Sequence, residues 1–396
     1  MFEHLKALPQ DPILQLMLQY RADERSNKID LGIGIYKDEQ GNTPVMQAVK
    51  LAEQRLLEQE TSKSYIGPAG SEGYNNAVAE LLLGTGNPLL SSGRLTYAQT
   101  PGGCGALRMA AEFLKRCNAD TRIWVSNPTW GNHIPLLGGA GLAIEQYRYY
   151  DKNTHGVAFD EMMEDLKQAR AGDVVLLHGC CHNPSGADLS LEQWQAVSDL
   201  VVEKGLLPFV DIAYQGLGQG LDQDAAGLRL IAAAVPEMVV AASCSKNFGL
   251  YRERTGFLML LSANAEQAAN SASQLFSTIR SHYSMPPSHG AAVVETILGD
   301  AELRQNWQQE LDGMTHRILN LRQQLVQQMA LRDLDMAFIA QQQGMFSFLG
   351  LSPEQVARMK QEHAIYMVDS SRVNVAGLNS NNIETIADAL AKVIKQ

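Results

Sequence analysis

The sequence predicts an α/β protein with a large domain built on a mostly parallel central sheet and a smaller α/β domain. From about Pro44 to about Gly299, helical periods alternate with short buried strands, which is typical of a parallel sheet covered by helices. Residues from Ala301 to Met329 have the periodicity of one long amphipathic helix, and short strands and a closing helix follow. A chain of 396 residues exceeds the usual size of a single core, so two domains are expected.

The predicted boundaries rest on these patterns, because the sequence has no internal repeat and no low-complexity linker. Residues 1–43 precede the sheet pattern and are assigned to an N-terminal arm and the first part of the small domain. Residues 44–300 form the predicted large domain. Residues 301–396 supply a helix expected to bridge the two domains, followed by the C-terminal part of the small domain.

Composition excludes several functional classes. A net charge of -11, without any run of lysine and arginine, argues against nucleic-acid binding. The five cysteines, of which Cys180 and Cys181 are adjacent, suit a reducing compartment better than a disulfide framework, and none has zinc-site spacing. Residues 1–6 lack a secretory signal pattern, and no apolar run approaches ~18 residues. The expected location is therefore the cytoplasm, with no metal and no membrane partner.

The first chemical signal along the sheet pattern is a glycine-rich turn. The strand-like run Leu95–Gln99 leads into Gly102–Leu107, which opens a helical pattern. Glycines at such a turn leave backbone N–H groups free to bind an anion, for which a phosphate is suitable. A dinucleotide site is excluded because Arg108 stands where its third glycine is required. A tight structural turn remains the alternative.

Three later apolar runs also end in polar side chains. The runs Asp173–His178, Gly205–Val210 and Met238–Val240 precede, respectively, Asn183, the pair Asp211 and Tyr214, and Lys246. The carboxyl ends of neighbouring strands in an open α/β sheet converge on one crevice. We therefore expect these four side chains to lie close together.

Lys246 is the most informative of the four. It lies between small hydroxyl residues and between two buried strands, so its ammonium is expected to be partly desolvated. Desolvation lowers a lysine pKa from about 10.4 towards neutrality, and the neutral amine is the form that condenses with a carbonyl. The alternative is a loop lysine that extends to water. On this stretch alone the two interpretations are evenly matched.

Four motifs taken together resemble those of the class I pyridoxal-phosphate-dependent aminotransferases that act on aspartate and aromatic amino acids. The motifs are Cys180–Gly186, Asp211–Gly216, Ser243–Arg254 and Ser371–Gly377. They occur in the order and at the intervals of that family, and the similarity extends from Phe2 to the final helix. The resemblance implies the pyridoxal-phosphate fold type I and transfer of the amino group to 2-oxoglutarate in two half-reactions. It also implies a homodimer in which each active site is shared.

The resemblance assigns roles to individual residues. The implied cofactor-binding residues are Tyr65 from the neighbouring subunit, Gly103, Cys104, Trp130, Asn183, Asp211, Tyr214, Ser243, Ser245, Lys246 and Arg254. Catalysis is assigned to Lys246, Asp211 and Tyr214. The implied substrate-binding residues are Gly34, Trp130, Asn183, Arg280 and Arg372.

The chemistry of pyridoxal phosphate accounts for these residue types. A carbanion at the amino-acid α-carbon is stabilised while the ring nitrogen is protonated, which an aspartate such as Asp211 favours. Lys246 would attach the cofactor and move the α-proton. Arg372 would bind the α-carboxylate and Arg280 the distal carboxylate, both as planar donors. Cys104 departs from the family, which has threonine or serine there, and a thiol is the weaker donor.

Each of the remaining assignments also has a purely structural interpretation. The resemblance also implies that His133 hydrogen-bonds Asp211, but a structural histidine is the alternative. Trp130 is equally consistent with a core anchor, Gly34 with a bend in an edge strand, Tyr65 with a strand aromatic and Arg280 with a helix-end surface residue. A lyase or decarboxylase is the alternative activity, but two carboxylate-binding arginines favour a reaction that retains both carboxylates. A non-enzymatic regulator would need a DNA-binding segment, for which no residues are expected to remain. The preferred amino donor stays open, with overlapping activity on aspartate and aromatic amino acids expected.

Overall fold

The computed structural model describes residues 2–8 and 11–395. The strands are β1 (Ile29–Asp30), β2 (Leu95–Pro101), β3 (Arg122–Asn127), β4 (Ala143–Arg148), β5 (Val174–His178), β6 (Leu207–Ile212), β7 (Met238–Ser243), β8 (Thr255–Leu261), β9 (Phe346–Phe348), β10 (Ile365–Tyr366) and β11 (Arg372–Asn374). The helices are α1 (Pro12–Ala22), α2 (Gln47–Gln59), α3 (Glu72–Leu83), α4 (Gly102–Cys117), α5 (His133–Gly139), α6 (Phe159–Leu166), α7 (Leu191–Lys204), α8 (Leu221–Asp224), α9 (Ala226–Ala234), α10 (Ala265–His282), α11 (His289–Gly299), α12 (Ala301–Ala330), α13 (Phe338–Gln341), α14 (Pro353–His363) and α15 (Ile383–Lys395). None of the helices in these ranges is long and apolar enough to cross a membrane.

The chain divides into two compact units. The large unit comprises Pro44–Arg317 and Gln342–Gly344, and the small unit comprises Met1–Thr43, Ile318–Gln341 and Met345–Gln396. The division falls within α12.

The large unit contains a sheet with the strand order β2-β8-β7-β6-β5-β3-β4. Strands β3 to β7 run parallel to one another, and β8 is antiparallel to both β2 and β7. Every residue of β7 and β8 is buried, as expected for strands covered on both faces, and this explains their continuous apolar runs. The α/β class and the mostly parallel sheet predicted from the sequence are confirmed.

The register of the central strands places polar residues at the same edge of the sheet. His178 of β5 pairs with Asp211 of β6, and Asp211 pairs with Ala241 of β7. Asp211 is therefore still within its strand, one residue before the end, and Lys246 follows β7 in a turn. Helix α4 packs its buried face on β2, β7 and β8, which fixes its first residues, Gly102 and Gly103, at the end of β2.

The small unit contains two short strand pairs. β1 pairs in parallel with β10, and β11 pairs antiparallel with β9. β1 ends at Asp30, whose Oδ1 accepts the backbone N–H of Gly32 at 2.9 Å, while its Oδ2 binds Lys37 Nζ at 2.9 Å. A side chain that bonds the backbone two residues ahead ends regular strand pairing. Gly32 and Gly34 consequently lie in a loop after β1, and the alternative of a bend within an edge strand does not apply.

Candidate active site

Lys246 lies in the turn after β7, in the large unit, and is half-buried. Its Nζ is 4.8 Å from the centroid of the Tyr214 ring, which follows β6 and is itself buried. Burial lowers the pKa of the Lys246 ammonium, and the nearby Asp211 carboxylate only partly opposes that effect. The nucleophilic neutral amine is therefore populated at lower pH than in a free lysine.

Asp211 is held by a histidine. Its Oδ2 accepts a hydrogen bond from Nε2 of His133, the first residue of α5, at 3.0 Å, and the His133 side chain is fully buried. Burial alone would raise the pKa of Asp211, but the His133 hydrogen bond and the electrostatic attraction of nearby groups, among them the Lys246 ammonium, outweigh it, so the pKa is lowered. Asp211 is thus an anion at neutral pH that faces Lys246 across the strand ends.

A chain of hydrogen bonds continues behind His133. Thr129 Oγ1 lies 2.7 Å from His133 Nδ1 and 3.1 Å from His178 Nε2. Burial lowers the pKa of His178 to about 3, so this imidazole is neutral at physiological pH. The contacts are all satisfied when His178 donates to Thr129, Thr129 to His133, and His133 to Asp211. This direction fixes the His133 tautomer that donates to the carboxylate.

Trp130 packs against His133, and Asn183 follows the strand that ends at His178. The Trp130 ring centroid is 5.3 Å from that of His133 at an interplanar angle of 87°, and the indole packs against the core of the large unit. Asn183 is buried in the loop after β5. That loop is fixed by Asp188, whose carboxylate accepts the backbone N–H groups of Cys181 and His182 at 2.6 and 2.7 Å.

Polar groups suited to an anion surround the first turn of α4. Ser243 and Ser245 are buried and share a 2.9 Å hydrogen bond, and the Arg254 carbonyl accepts the Gly102 N–H at 2.7 Å. A Cβ at Gly102 would lie 2.3 Å from Arg254 Nη2, so only glycine lets the guanidinium approach the helix start. Gly103 is next in the helix, and no side chain caps α4. We call these five residues the anion cluster; the uncapped start of α4, the two hydroxyls and the guanidinium fit a phosphate.

The small unit holds Arg372, which is 6% exposed. Its Nη2 donates to the Gly32 carbonyl at 2.6 Å, and its Cζ lies 4.4 Å from the centroid of the Phe346 ring. A Cβ at Gly34 would lie 2.8 Å from Cζ of the same ring. Glycine at position 34 therefore has a packing reason in this structure, in addition to the backbone approach to substrate implied by the sequence.

Two of the predicted site residues are exposed. Tyr65 retains 92% of its accessible surface, and Arg280 lies in the last turn of α10, where Nη1 contacts Ser284 Oγ. Their exposure fits the expectation that these two side chains serve a site on another subunit.

Comparison with known proteins identifies the family of this chain. The sequence profile described as "Aminotransferase class I and II" matches residues 26–390. The chain belongs to this aminotransferase family. It is similar to the aspartate aminotransferase of Escherichia coli (strain K12), with 50% identity over 396 residues and all of both chains covered.

Two further relatives of this aminotransferase carry aromatic substrates in their names. The aromatic-amino-acid aminotransferase of Paracoccus denitrificans is 49% identical over 397 residues, covering 99% of this chain and 100% of that one. Among solved structures, the aromatic-amino-acid aminotransferase of Burkholderia pseudomallei, described as covalently bound to pyridoxal phosphate, has a TM-score of 0.97 at 42% identity, covering 99% of each chain.

Three residues of the large unit that hold the site of the aminotransferase in place have no role in the sequence-based predictions. Thr129 and His178 were not assigned any role, although both lie next to strand ends, which was the available signal. Trp307 of α12 is fully buried, donates Nε1–H to the Asn247 carbonyl at 2.7 Å and stacks on Phe248 with ring centroids 4.4 Å apart. It therefore fixes the backbone directly after Lys246. No local pattern marked Trp307, because its partners are about sixty residues away.

Cys180, Cys181 and Asp224 bring their side-chain ligand atoms within 4.8 Å of one another. The Asp224 oxygens already accept backbone N–H groups of Gly216, Gly218 and Gln219 at 2.8–2.9 Å. The pKa of the Cys180 thiol is raised well above its usual value, mainly by its contact with Cys181 and by burial. Because the Asp224 oxygens already accept these backbone N–H groups, this carboxylate anchors the loop after Tyr214.

Cys104 is where the aminotransferase departs from the sequence expected at the anion cluster. It is half-buried in the first turn of α4, and its nearest polar contact is Asn132 Nδ2 at 3.9 Å from Sγ. We expect the affinity of Cys104→Thr for pyridoxal phosphate to equal that of the wild type or to exceed it by up to about ten-fold. The reason is that a hydroxyl donates a stronger hydrogen bond to phosphate than a thiol does. Equilibrium binding of the cofactor to apoenzyme, followed by fluorescence, measures this.

Cys117, the exposed cysteine at the other end of α4, provides the control. Cys117→Thr should leave cofactor affinity unchanged. Weaker cofactor binding by Cys104→Thr would show that position 104 does not face the phosphate.

Proposed function

We propose that this aminotransferase uses pyridoxal phosphate to move the amino group of aspartate and of aromatic amino acids to 2-oxoglutarate. The products are glutamate and the matching 2-oxo acid, formed in two half-reactions. The observation that carries the proposal is the half-buried Lys246 near the Asp211 carboxylate, which is hydrogen-bonded to His133, and near the anion cluster. The aspartate and aromatic names of the relatives support the substrate range.

The donor set fits pyridoxal phosphate. Its phosphate would be held by the anion cluster together with the Cys104 backbone, its ring would lie against Trp130, and Tyr214 and Asn183 would donate to the ring oxygen. Bound in this way, the cofactor supplies an electron sink for the amino-acid α-carbon. Asp211, as a buried carboxylate, would hold a proton on the ring nitrogen by ion pairing.

Lys246 has two tasks in this mechanism. Its Nζ would hold the cofactor in the resting enzyme and, once free, would take the proton from the substrate α-carbon. Both tasks need a neutral amine, and burial lowers the Lys246 pKa in that direction. The Tyr214 ring limits where Nζ moves, since the two are 4.8 Å apart. The structure thus supports Lys246 as the general base.

Carboxylate recognition is assigned to two arginines. Arg372, nearly buried and bonded to the Gly32 carbonyl, would present its planar guanidinium to the α-carboxylate. Arg280 would bind the distal carboxylate of aspartate, glutamate or 2-oxoglutarate. Because Arg280 and Tyr65 are exposed, we assign them to the active site of a second subunit in a homodimer. We also propose that the enzyme acts in the cytoplasm.

Borohydride reduction tests this function most directly. The purified holoenzyme should lose its near-ultraviolet or visible cofactor band on reduction, and peptide mapping should find the modified lysine at Lys246. The reason is that Lys246 combines burial, a lowered pKa and proximity to the anion cluster. Reduction of Lys246→Ala serves as the control and should fix no cofactor.

An adduct on any other lysine would contradict the proposed mechanism. Steady-state rates with aspartate, phenylalanine, tyrosine and tryptophan against 2-oxoglutarate then decide the preferred amino donor.

A further inference from the structure

Two arginines of the small unit contact the same residue, Phe346. Arg372 lies over the face of the Phe346 ring, with Cζ 4.4 Å from the centroid. Arg322, on α12, donates from Nη2 to the Phe346 carbonyl at 2.6 Å. Arg322 is fully buried and is among the largest fully buried side chains of the described residues. A guanidinium in such a position needs a strong structural reason, because burial of a charge is costly unless its donors are satisfied.

Arg322 joins three separate backbone segments. Besides the Phe346 carbonyl, its Nη1 donates to the Ile339 carbonyl of α13 at 2.9 Å and to Ser347 Oγ at 2.7 Å. Phe346 and Ser347 are the first two residues of β9. The planar guanidinium presents its donors in a fixed geometry, which a lysine ammonium on a flexible stem does not reproduce. Arg322 therefore fixes β9 against α12 and α13.

The position of β9 is transmitted to Arg372 by strand pairing. Phe348 pairs with Arg372 and Phe346 pairs with Asn374, so Arg372 and Phe346 are diagonal neighbours on one face of the β9–β11 ladder. Diagonal neighbours are within reach when one side chain is aromatic and the other long. The ring face attracts the guanidinium by a cation–π contact, which sets its plane. Movement of β9 would accordingly reorient Arg372.

We propose that Arg322 is a positioning residue for recognition of the substrate α-carboxylate, acting through the Phe346 ring on the Arg372 guanidinium. This inference rests on the proposed function of Arg372. The role would be indirect, because Arg322 donates to the main chain of β9 and α13 and to Ser347. Its effect should be confined to ligands that carry an α-carboxylate.

The test compares Arg322→Lys with wild-type holoenzyme on a matched pair of amines. Aspartate carries the α-carboxylate, and β-alanine is the same molecule without it. In Arg322→Lys the second-order rate constant for the spectral change of the cofactor should fall roughly ten-fold with aspartate, the effect of one lost hydrogen bond to a charged group, and stay unchanged with β-alanine. Succinate, which reports binding without any reaction, should bind about ten-fold more weakly by calorimetry.

Arg332→Lys is the matched control. Arg332 also lies in the small unit and donates to a backbone carbonyl, that of Gln328, but it contacts Asp388 and not β9. Its substitution should leave the rate constants with aspartate and β-alanine and the affinity for succinate unchanged. If Arg322→Lys does not fold, Ser347→Ala removes one of the Arg322 acceptors and replaces it in the comparison.

The results separate this inference from the proposed function. Equal losses with aspartate and β-alanine, or no loss with either, would overturn the positioning role of Arg322. If Arg372→Lys leaves the aspartate to β-alanine ratio intact, the proposed role of Arg372 is wrong instead. If Arg322 and Arg372 both have their proposed roles, the two single variants act on the same contact. The losses in transition-state free energy with aspartate for Arg322→Lys and Arg372→Lys should then sum to more than the loss for the double variant.

Discussion

Asp211→Ala is expected to slow transamination of aspartate by roughly two to four orders of magnitude, while the cofactor remains attached to Lys246. Asp211 is an anion in a buried position, bonded to His133 at 3.0 Å. The variant would lose the carboxylate that ion-pairs with the protonated ring nitrogen; removing one partner of a buried ion pair costs about 3–5 kcal/mol, and each ~1.36 kcal/mol at the transition state is ten-fold in rate. Single-turnover stopped-flow measurement of the half-reaction with aspartate gives the size of the effect.

Two further variants isolate the charge of Asp211. Asp211→Asn keeps the size of the side chain and should be nearly as slow as Asp211→Ala, because the loss is of negative charge. Asp173→Ala is the matched control: Asp173 is a buried carboxylate of the same unit, bonded to Arg122 and Trp124 just before β5 begins. It should lower thermal stability while the folded enzyme turns over normally. Near-normal turnover of Asp211→Ala would exclude the carboxylate from the reaction.

The central sheet and the polar residues at its edge were predictable, because both depend on patterns within short stretches of the sequence. The runs that form β7 and β8 are continuously apolar, since both strands are covered on both faces. Polar residues after such strands meet at one edge for topological reasons, which applies to Asp211 and Lys246 alike. Strand ends are less well defined by pattern: Asp211 belongs to β6, because the ladder with β7 extends to Ile212.

The supporting residues were not predictable, because their roles depend on contacts between distant segments. Arg322 occupies a position in a long helix where an arginine would ordinarily be solvated, and only the packing of β9 and α13 makes it buried. His178 was visible at a strand end, but its neutrality at physiological pH follows from burial. The sequence was also consistent with a bend in an edge strand at Gly34. In the structure, a hydrogen bond from the Gly32 N–H to the Asp30 side chain ends β1 at Asp30, before Gly34 is reached.

The exposure of Tyr65 and Arg280 has a structural consequence for catalysis. Side chains of this size at an active site are normally enclosed, yet Tyr65 is 92% exposed. Lys246, Asp211 and the anion cluster are, by contrast, assembled within one large unit. In a two-fold symmetric dimer the same surface of each subunit contacts the other, so each chain would complete the site of its partner. An isolated subunit would then hold cofactor but recognise dicarboxylates poorly.

Subunit exchange should therefore restore aspartate activity to a mixture of two inactive variants. Lys246→Ala lacks the base and Arg280→Ala lacks the distal carboxylate contact, so each homodimer is nearly inactive on aspartate. In a mixed dimer with shared sites, one site carries both lesions and the other carries neither. Random exchange of equal amounts makes about half of the dimers mixed, and each mixed dimer has one intact site of two. The mixture should therefore recover roughly a quarter of the activity of the same amount of wild-type enzyme. Activity is followed after partial denaturation and refolding of the mixture, with differently tagged subunits to demonstrate exchange.

The control mixture combines Lys246→Ala with Asp211→Ala. Both residues belong to the large unit of one chain and lie on adjacent strand ends, so every site of that mixed dimer keeps one lesion and activity should stay absent. Recovery with Arg280→Ala but not with Asp211→Ala would assign Arg280 to the opposite subunit. If proven exchange with Arg280→Ala gives no recovery, Arg280 acts within its own chain, and the exposed position of its side chain in α10 must instead be changed by closure around the substrate.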